Sequence, residues 1–381
     1  VTLQTLLGTL STAMVMTNIE TIDKASYSGV LVMNQFDVGS FLGRSDLGKV
    51  SLNVAVDGCG FIEKYLDIKF SGGVQNFYFK GYNYQNILAN GSFKKPIFKG
   101  KVNINDPNLF FDFEGIVDLS KKENIYDFHA RVDYANLRSL NFVKNDVAVF
   151  RGDIVMKMTG NSLNNMKGDM ELSNASYINA KDQYFFDYLS LTSKFNDFGE
   201  HEVTVYSPNE VSGKLQGKFE LDQIASLVEN SFGSLYTNYK ANKVKSGQYL
   251  KFEFEEFHKI IEILNPKISF SEDARFSGII RSDANDFKMD LKSNYVDVYD
   301  NRLDNVVLEL DNKNPLYNTY LQMDSIKTKY YTIRDFSLIN TTAKDTLNFR
   351  TEFKGGTNGT DFYNLNLYHT IDANNQNVVG F

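Results

Sequence analysis

The side chains in this sequence that could move a proton or hold a metal ion are few, and they are spaced for neither task. The four histidines, His129, His201, His258 and His369, are scattered, and no two stand at a metal-binding separation. His129 alternates out of its strand's apolar face, so it reads as a solvent-facing side chain. Asp297, Asp300 and Asp304, with Asn301 and Asn305 nearby, offer oxygen ligands for calcium. Their spacing departs from the EF-hand loop and lacks its glycine, so a solvated turn is the simpler account. Glu253, Glu255 and Glu256 form the polar side of a strand. A single cysteine, Cys59, excludes an internal disulfide framework and a cysteine-based zinc site. No Gly-x-Ser-x-Gly elbow, phosphate-binding Gly-Lys-Ser/Thr loop or dinucleotide fingerprint occurs, and Gly72-Gly73 and Gly355-Gly356 read as turns. No catalytic residue, metal site or cofactor is therefore expected, and the chain reads as non-enzymatic.

Composition points elsewhere. A net charge of −7 offers no concentrated basic surface, so nucleic acid is not an expected partner. Aromatic content is high and comes from 31 Phe and 22 Tyr with no Trp, a mixture that favours strands and supplies large apolar area. No run is long and apolar enough to read as a transmembrane helix. Val1 to Met16 lacks the basic start and apolar core of a signal peptide, and the chain reads as a piece of a longer protein.

Strict alternation dominates the 381 residues. Val50, Leu52, Val54 and Val56 alternate with Ser51, Asn53, Ala55 and Asp57; Phe98, Gly100, Val102 and Ile104 alternate with Lys99, Lys101, Asn103 and Asn105. Phe150, Gly152, Ile154, Met156 and Met158 oppose Arg151, Asp153, Val155, Lys157 and Thr159. The same pattern carries Phe252 and Phe254, then Phe287, Met289 and Leu291. A period of two puts one face in an apolar setting and the other in water, and Asn- and Gly-rich turns separate the runs at hairpin spacing. A long series of antiparallel, one-sided strands is predicted.

These runs also recur at longer range. Asp106-Pro107-Asn108, Phe113-Glu114-Gly115 and Val117-Asp118-Leu119 are echoed by Ser207-Pro208-Asn209, Leu215-Gln216-Gly217 and Phe219-Glu220-Leu221. Tyr84-Gln85-Asn86-Ile87 has counterparts in Phe186-Asp187-Tyr188-Leu189 and Leu303-Asp304-Asn305-Val306. Tyr27, Tyr126 and Tyr249 each open an alternating run, giving approximate repeats over 27–125, 126–248 and 249–381. Such periodicity argues for a one-dimensional stack of units. Phe-x-Gly recurs at Phe98–Gly100, Phe113–Gly115, Phe150–Gly152, Phe276–Gly278 and Phe353–Gly355. Each glycine marks either a bulge at a corner or strand curvature with ligand space beside the ring. Helices are expected over Asp222 to about Tyr236, over Phe257 to Leu264, and as one turn at Asp37 to Leu42. They are expected to cover edges or ends of the sheet.

Several blocks in order resemble the TamB proteins of Bacteroidetes. They are Leu47-Gly48-Lys49-Val50, Gly81-Tyr82-Asn83-Tyr84, Ile104-Asn105-Asp106-Pro107-Asn108, Phe113-Glu114-Gly115, Tyr236-Thr237-Asn238-Tyr239, Asp311-Asn312-Lys313-Asn314-Pro315-Leu316, and Phe349 through Gly356. The resemblance runs over essentially the whole chain and implies the AsmA-like, bridge-type lipid transfer superfamily. It further implies the periplasmic part of an inner-membrane-anchored protein, whose curved sheet holds phospholipid acyl chains on its way to the outer membrane. An Omp85-type outer-membrane barrel resembling TamA is the implied partner, through a segment outside this sequence.

The fold class expected is thus all-β: an elongated, curved, taco-like antiparallel groove with a few short helices. Its lining is expected from the inward members of the alternating runs. These are Val50, Leu52 and Val54; Phe98, Val102 and Ile104; Phe111 and Phe113; Phe128 and Val132; Phe150, Ile154, Met156 and Met158. Phe252, Phe254, Phe287, Met289, Leu291, Phe349 and Phe353 continue it. Such a wall shields lipid tails at about 0.8 kcal/mol per buried CH₂ and needs no fixed hydrogen bonds. The alternatives are a chaperone or scaffold for outer-membrane protein assembly, whose exposed edges pair with client strands, or a β-repeat surface protein with its apolar face closed by a second sheet.

Overall fold

The computed structural model describes residues 1–21, 25–60, 65–94, 96–144, 147–235, 239–283, 286–343, 346–356 and 358–381. Tyr236, Thr237 and Asn238, where one resemblance block begins and the longest predicted helix ends, lie outside the described residues. Among the described residues the fold is nearly all-β: 24 strands in one open antiparallel sheet, with a few short helices. The chain divides into two units, 1–161 with 168–188 and 162–167 with 189–381. The division falls inside the second sequence repeat.

The first unit begins with β1 (Thr2–Thr5), β2 (Gly8–Thr17), β3 (Ser26–Asp37), the single turn α1 (Val38–Leu42), β4 (Leu47–Cys59), β5 (Asp67–Phe79) and β6 (Tyr82–Lys94). It continues with β7 (Ile97–Asp106), β8 (Leu109–Asp118), β9 (Ile125–Asn136), β10 (Val149–Thr159) and most of β11 (Lys167–Ile178). From β1 to β10 each strand pairs with the next. Directly paired residues share a face, so the registers convert alternation along strands into rows across them. Val56, Phe70, Gly91, Gly100, Gly115, Phe128 and Met156 form one row of the apolar face. Asp57, Lys69, Ser92, Lys99, Ile116, Asp127 and Lys157 form the matching row of the polar face.

The chain passes to the second unit within β12 (Gln183–Phe195). The strands that follow are β13 (His201–Ser207), β14 (Val211–Lys218), β15 (Tyr249–Glu255), β16 (Ile268–Phe270), β17 (Arg275–Arg281), β18 (Asp286–Val298) and β19 (Asn301–Asp311). β20 (Thr319–Lys327), β21 (Thr332–Ala343), β22 (Thr346–Gly355), β23 (Asp361–Ile371) and β24 (Asn377–Gly380) complete it. Neighbours pair in order, except that β15 pairs with β17 while the three-residue β16 pairs with the far end of β18. Two helices, α2 (Ile224–Gly233) and α3 (His258–Leu264), interrupt this meander. Both were predicted, the first with a longer C-terminal end; α2 is entered through a 3₁₀ turn at Leu221–Gln223.

Repeated sequence blocks fold alike. Asp106-Pro107-Asn108 turns β7 into β8, and Ser207-Pro208-Asn209 turns β13 into β14. Buried Asp106 accepts hydrogen bonds from the Asn108 amide at 2.8 Å, the Gln85 amide at 2.8 Å and the Tyr82 hydroxyl at 2.5 Å, which locks its turn to β6. Asn86 and Asn305, equivalent in the repeats, both carry left-handed backbone, φ 51° in each, the conformation that Asn tolerates at a bulge.

Phe-x-Gly positions are filled by neighbouring protein, most closely by backbone. A Cβ on Gly278 would lie 2.3 Å from the Lys288 carbonyl oxygen and 2.6 Å from the Phe252 ring, and one on Gly115 would lie 2.4 Å from the Asp127 carbonyl oxygen. At Gly213, outside the motif, a Cβ would lie 2.3 Å from the cross-strand Phe254 ring, which fills the glycine's place. At Gly100 the obstacle is backbone: a Cβ would stand 2.4 Å from the Asn90 carbonyl oxygen and 2.6 Å from Gly91 Cα. Gly100→Val is expected to cost about 1–3 kcal/mol, read as a lower urea midpoint at unchanged m-value.

The three carboxylates weighed for calcium divide between turn and strands. Asp300 lies exposed in the turn between β18 and β19, as expected, whereas Asp297 lies near the end of β18 and Asp304 within β19. Asp304 is bound by Lys327 Nζ at 2.6 Å and Arg302 Nε at 3.0 Å, leaving its charge neutralised. Hydrogen bonds from Lys327 and then Ser325 pull its pKa from 3.8 to about 2. Its stabilising contribution is therefore complete above pH 4 and lost as pH falls towards 2. After screening of this partly exposed cluster it amounts to about 1 kcal/mol. Asp304→Asn should flatten the fall of the thermal midpoint between pH 4 and 2, with Asp324→Asn as the control.

Candidate functional site

In the first unit every predicted lining residue lies on one face. Val50, Val54, Val132 and Met158 are buried; Leu52, Phe98, Val102, Ile104, Phe111, Phe113, Phe128, Phe150, Ile154 and Met156 are half-buried. Their rings interlock across strands: Phe98 and Phe113 centroids are 5.8 Å apart, and Phe113 and Phe128 5.1 Å. Phe70 stacks on Phe98 at 6.3 Å although β6 separates their strands. Gly91, the residue of β6 paired with Phe70, has no side chain to stand between them. Phe70 was missed as a lining residue, although its flanking Lys69 and Ser71 give the alternation that marks it.

One lip of this face is covered. Leu137 and Leu140, in the segment after β9, pack on Tyr84, Val132, Ala135, Phe111, Phe150 and Ile154. Toward β4 and β5, Tyr27, Val54 and Val56 cluster with Met14, Leu31, Leu52, Ile68 and Phe70, all from the sheet itself. The ring run from Phe70 to Phe128 thus has its own neighbours for partners and keeps part of its surface in solvent.

Sequence reasoning placed the trough on the apolar side alone. A hollow of about 1140 Å³ in the first unit instead opens on the polar face. Lys69, Lys99, Lys101 and Lys157 stand around it with Asp57, Glu114, Asp127 and His129. Long charged side chains leave valleys between them, whereas on the apolar face rings fill the equivalent space. Charges of both signs surround the hollow, and Lys101 is paired with Glu114 at 2.8 Å. His129 sits on this face, half of its side chain exposed, 3.8 Å from Asp153, which is where alternation placed it.

In the second unit the predicted residues again share a face, but much of it is enclosed. Phe252, Phe287 and Met289 are buried with Leu250, Ile280 and Leu310 in a cluster completed by Leu227, Ile224 and Val228 of α2. Phe232 of the same helix lies 5.8 Å from the Phe287 ring. Ile260 and Ile261 of α3, with Phe257 before it, pack on Val211, Ala274, Phe254, Phe270, Phe276 and Leu291. The helices therefore lie on the apolar face of central strands, not along unpaired edges as expected. A one-sided sheet gains more by covering apolar area than by protecting a strand end. Phe254, Leu291, Phe349 and Phe353 remain half-buried, and Phe353 stacks with Tyr363 at 5.0 Å.

Among polar groups on this face, His201 is almost wholly buried. It is stacked between Phe195 at 4.2 Å and Phe219 at 5.2 Å. Ser193 Oγ donates to the Met166 carbonyl at 2.6 Å, so His201 Nε2, 2.7 Å from that oxygen, donates to it. Burial pushes the imidazole pKa below its ordinary value and keeps the ring neutral. This is a hydrogen-bonded packing histidine, and a cue lay in its alternation with Val203 and Val205. Among the described residues no cluster of three metal-ligating side chains occurs, and no helix is long and apolar enough to cross a membrane.

The contrast between covered and uncovered rings is measurable. Phe287→Ala, beneath α2, is expected to cost about 3–5 kcal/mol of unfolding free energy. Phe113→Ala, whose ring already keeps part of its surface in solvent, is expected to cost less by the same denaturant titration, by about 1–2 kcal/mol. No protein-family model, no curated protein and no solved structure matches this chain.

Proposed function

We propose that this chain is a non-enzymatic, bridge-type carrier whose apolar sheet face shields phospholipid acyl chains between inner and outer membrane, as the resemblance to TamB proteins implies. One observation carries the reading: from Phe70 through Phe98 and Phe113 to Phe128, a continuous band of rings is only half-buried and packs on its own sheet. A contiguous apolar band that stays partly in water is costly and would gain from an apolar occupant. Two chains of roughly 16 carbons would gain on the order of 20 kcal/mol gross by leaving water for such a surface. The band presents alkyl and aromatic carbon without convergent polar groups, which suits sliding over capture. A dry-core scaffold is disfavoured because it would bury these rings, as α2 buries Phe287.

The test is native mass spectrometry, with lipid extraction, on the chain purified from membranes and gently delipidated. Several phospholipids per chain are expected; a folded chain without any would overturn the carrier reading. Met156→Asp or Phe113→Asp should lower lipid transfer between vesicles at least tenfold while leaving the far-ultraviolet dichroism of the sheet unchanged. Undiminished transfer by a folded variant would remove those residues from the path.

A further inference from the structure

The second nitrogen of His201 borders a cavity that the apolar face does not account for. A hollow of about 550 Å³ lies within the second unit, enclosed by the 3₁₀ turn at Leu163–Asn165, the start of β13, the end of β14 and the loop before β15. His201 forms part of its wall, whereas Ser193 and Met166, which occupy the Nε2 edge of the ring, do not border it. The opposite edge carries Nδ1, which is buried and has no hydrogen-bond partner. Because Nε2 holds the ring's proton, Nδ1 presents a lone pair and accepts.

The rest of the wall is fixed by its own bonds. Buried Gln248 accepts from the Glu220 amide at 2.7 Å and donates to Gln223 at 2.9 Å and to the Lys245 carbonyl at 3.0 Å. Asn164 donates to Asp222 at 3.0 Å, and Glu220 is paired with Lys245 at 2.5 Å. A rigid polar wall that leaves one buried acceptor unmet is organised for a ligand that supplies the missing donor. Exposed Lys218 and Ser246 border the same hollow, so it runs from solvent to the buried imidazole. Phe195 and Phe219, which sandwich that ring, add apolar wall.

These groups choose among ligand chemistries. An anion is repelled by the Nδ1 lone pair. A cation meets Lys218 and a Glu220 already neutralised by Lys245. A neutral ligand fits if its inner end donates a hydrogen bond, its outer end both donates and accepts, and its carbon skeleton rests on aromatic rings. Sugars have all three properties, and the volume is that of a small-ligand site. We propose that this hollow binds a sugar, one hydroxyl donating to His201 Nδ1 while Lys218 and Ser246 engage the outer hydroxyls. The site goes beyond the lipid carrier and does not depend on it; a free sugar and the sugar headgroup of a glycolipid present the same chemistry.

Histidine-selective nitrogen NMR on the full chain tests this. Methyl glucoside, methyl galactoside, N-acetylglucosamine and myo-inositol are each titrated, followed by phospholipid vesicles with and without monoglucosyl diacylglycerol. The Nδ1 signal of His201 is expected to move saturably toward, without reaching, the protonated position, while His129, His258 and His369 stay in place. Movement with free sugars identifies a soluble ligand, and movement with glycolipid vesicles alone identifies a headgroup. His201→Gln keeps a donor for Ser193 but lacks the Nδ1 acceptor, and should weaken binding at least tenfold by calorimetry. Lys218→Ala, on the exposed rim where folding is not at stake, should weaken it at least threefold. No movement with any probe, as when a trapped water alone meets Nδ1, would overturn the site. Unchanged affinity in Lys218→Ala or in folded His201→Gln would do the same, and none of these results bears on lipid transfer.

Discussion

A strand that alternates apolar and polar residues cannot satisfy both faces with the same solvent, and every other feature of this protein follows from that constraint. Backbone hydrogen bonds are met by the neighbouring strands, so the ladder settles the polar main chain and leaves one apolar face to be covered. Globular all-β proteins answer with a second sheet. Here the covering is piecemeal: a short segment with Leu140 over one lip of the first unit, α2 and α3 over parts of the second. Between these covers, rings and aliphatic side chains shelter one another and stop short of full burial. The functional reading depends on that remainder.

Inside the sheet, glycine and phenylalanine are arranged as complements. Where a ring has to lie over a neighbouring strand, that strand offers Gly213 or Gly278; where two strands approach closely, Gly91 and Gly100 meet. Sequence pattern alone left Gly100 and Gly278 open between a corner bulge and a ligand space, and packing closes the question by placing backbone at Gly100 and backbone with the Phe252 ring at Gly278. The register matters more than the motif, because the ring over Gly278 is Phe252 of β15 and not the Phe276 two residues away.

Much of the fold was legible because the period-two signal is local. Alternation placed Val50 to Val56, Phe98 to Ile104 and Phe150 to Met158 on one face, and capping and spacing located all three helices. What alternation could not supply was the third dimension of covering. Phe287 and Phe113 look alike in sequence, each between polar neighbours, yet one lies buried beneath α2 and the other keeps part of its ring in water. That difference comes from where a helix fifty residues away folds back, which no local pattern encodes. Asp304 was misplaced for a similar reason: its flanking Asn residues suggested a turn, whereas pairing with Tyr295 and the cations of Arg302 and Lys327 holds it in a strand.

Because nearly every strand pairs only with those beside it in sequence, the sheet is made from short loops closed one after another. Local closure costs little entropy, so such a chain has a low contact order for an all-β protein and has no need to await a distant partner before its hairpins form. It can therefore be ordered progressively as it emerges. Evolution can also lengthen or shorten it by whole hairpins, with the sheet changing by a fixed increment each time.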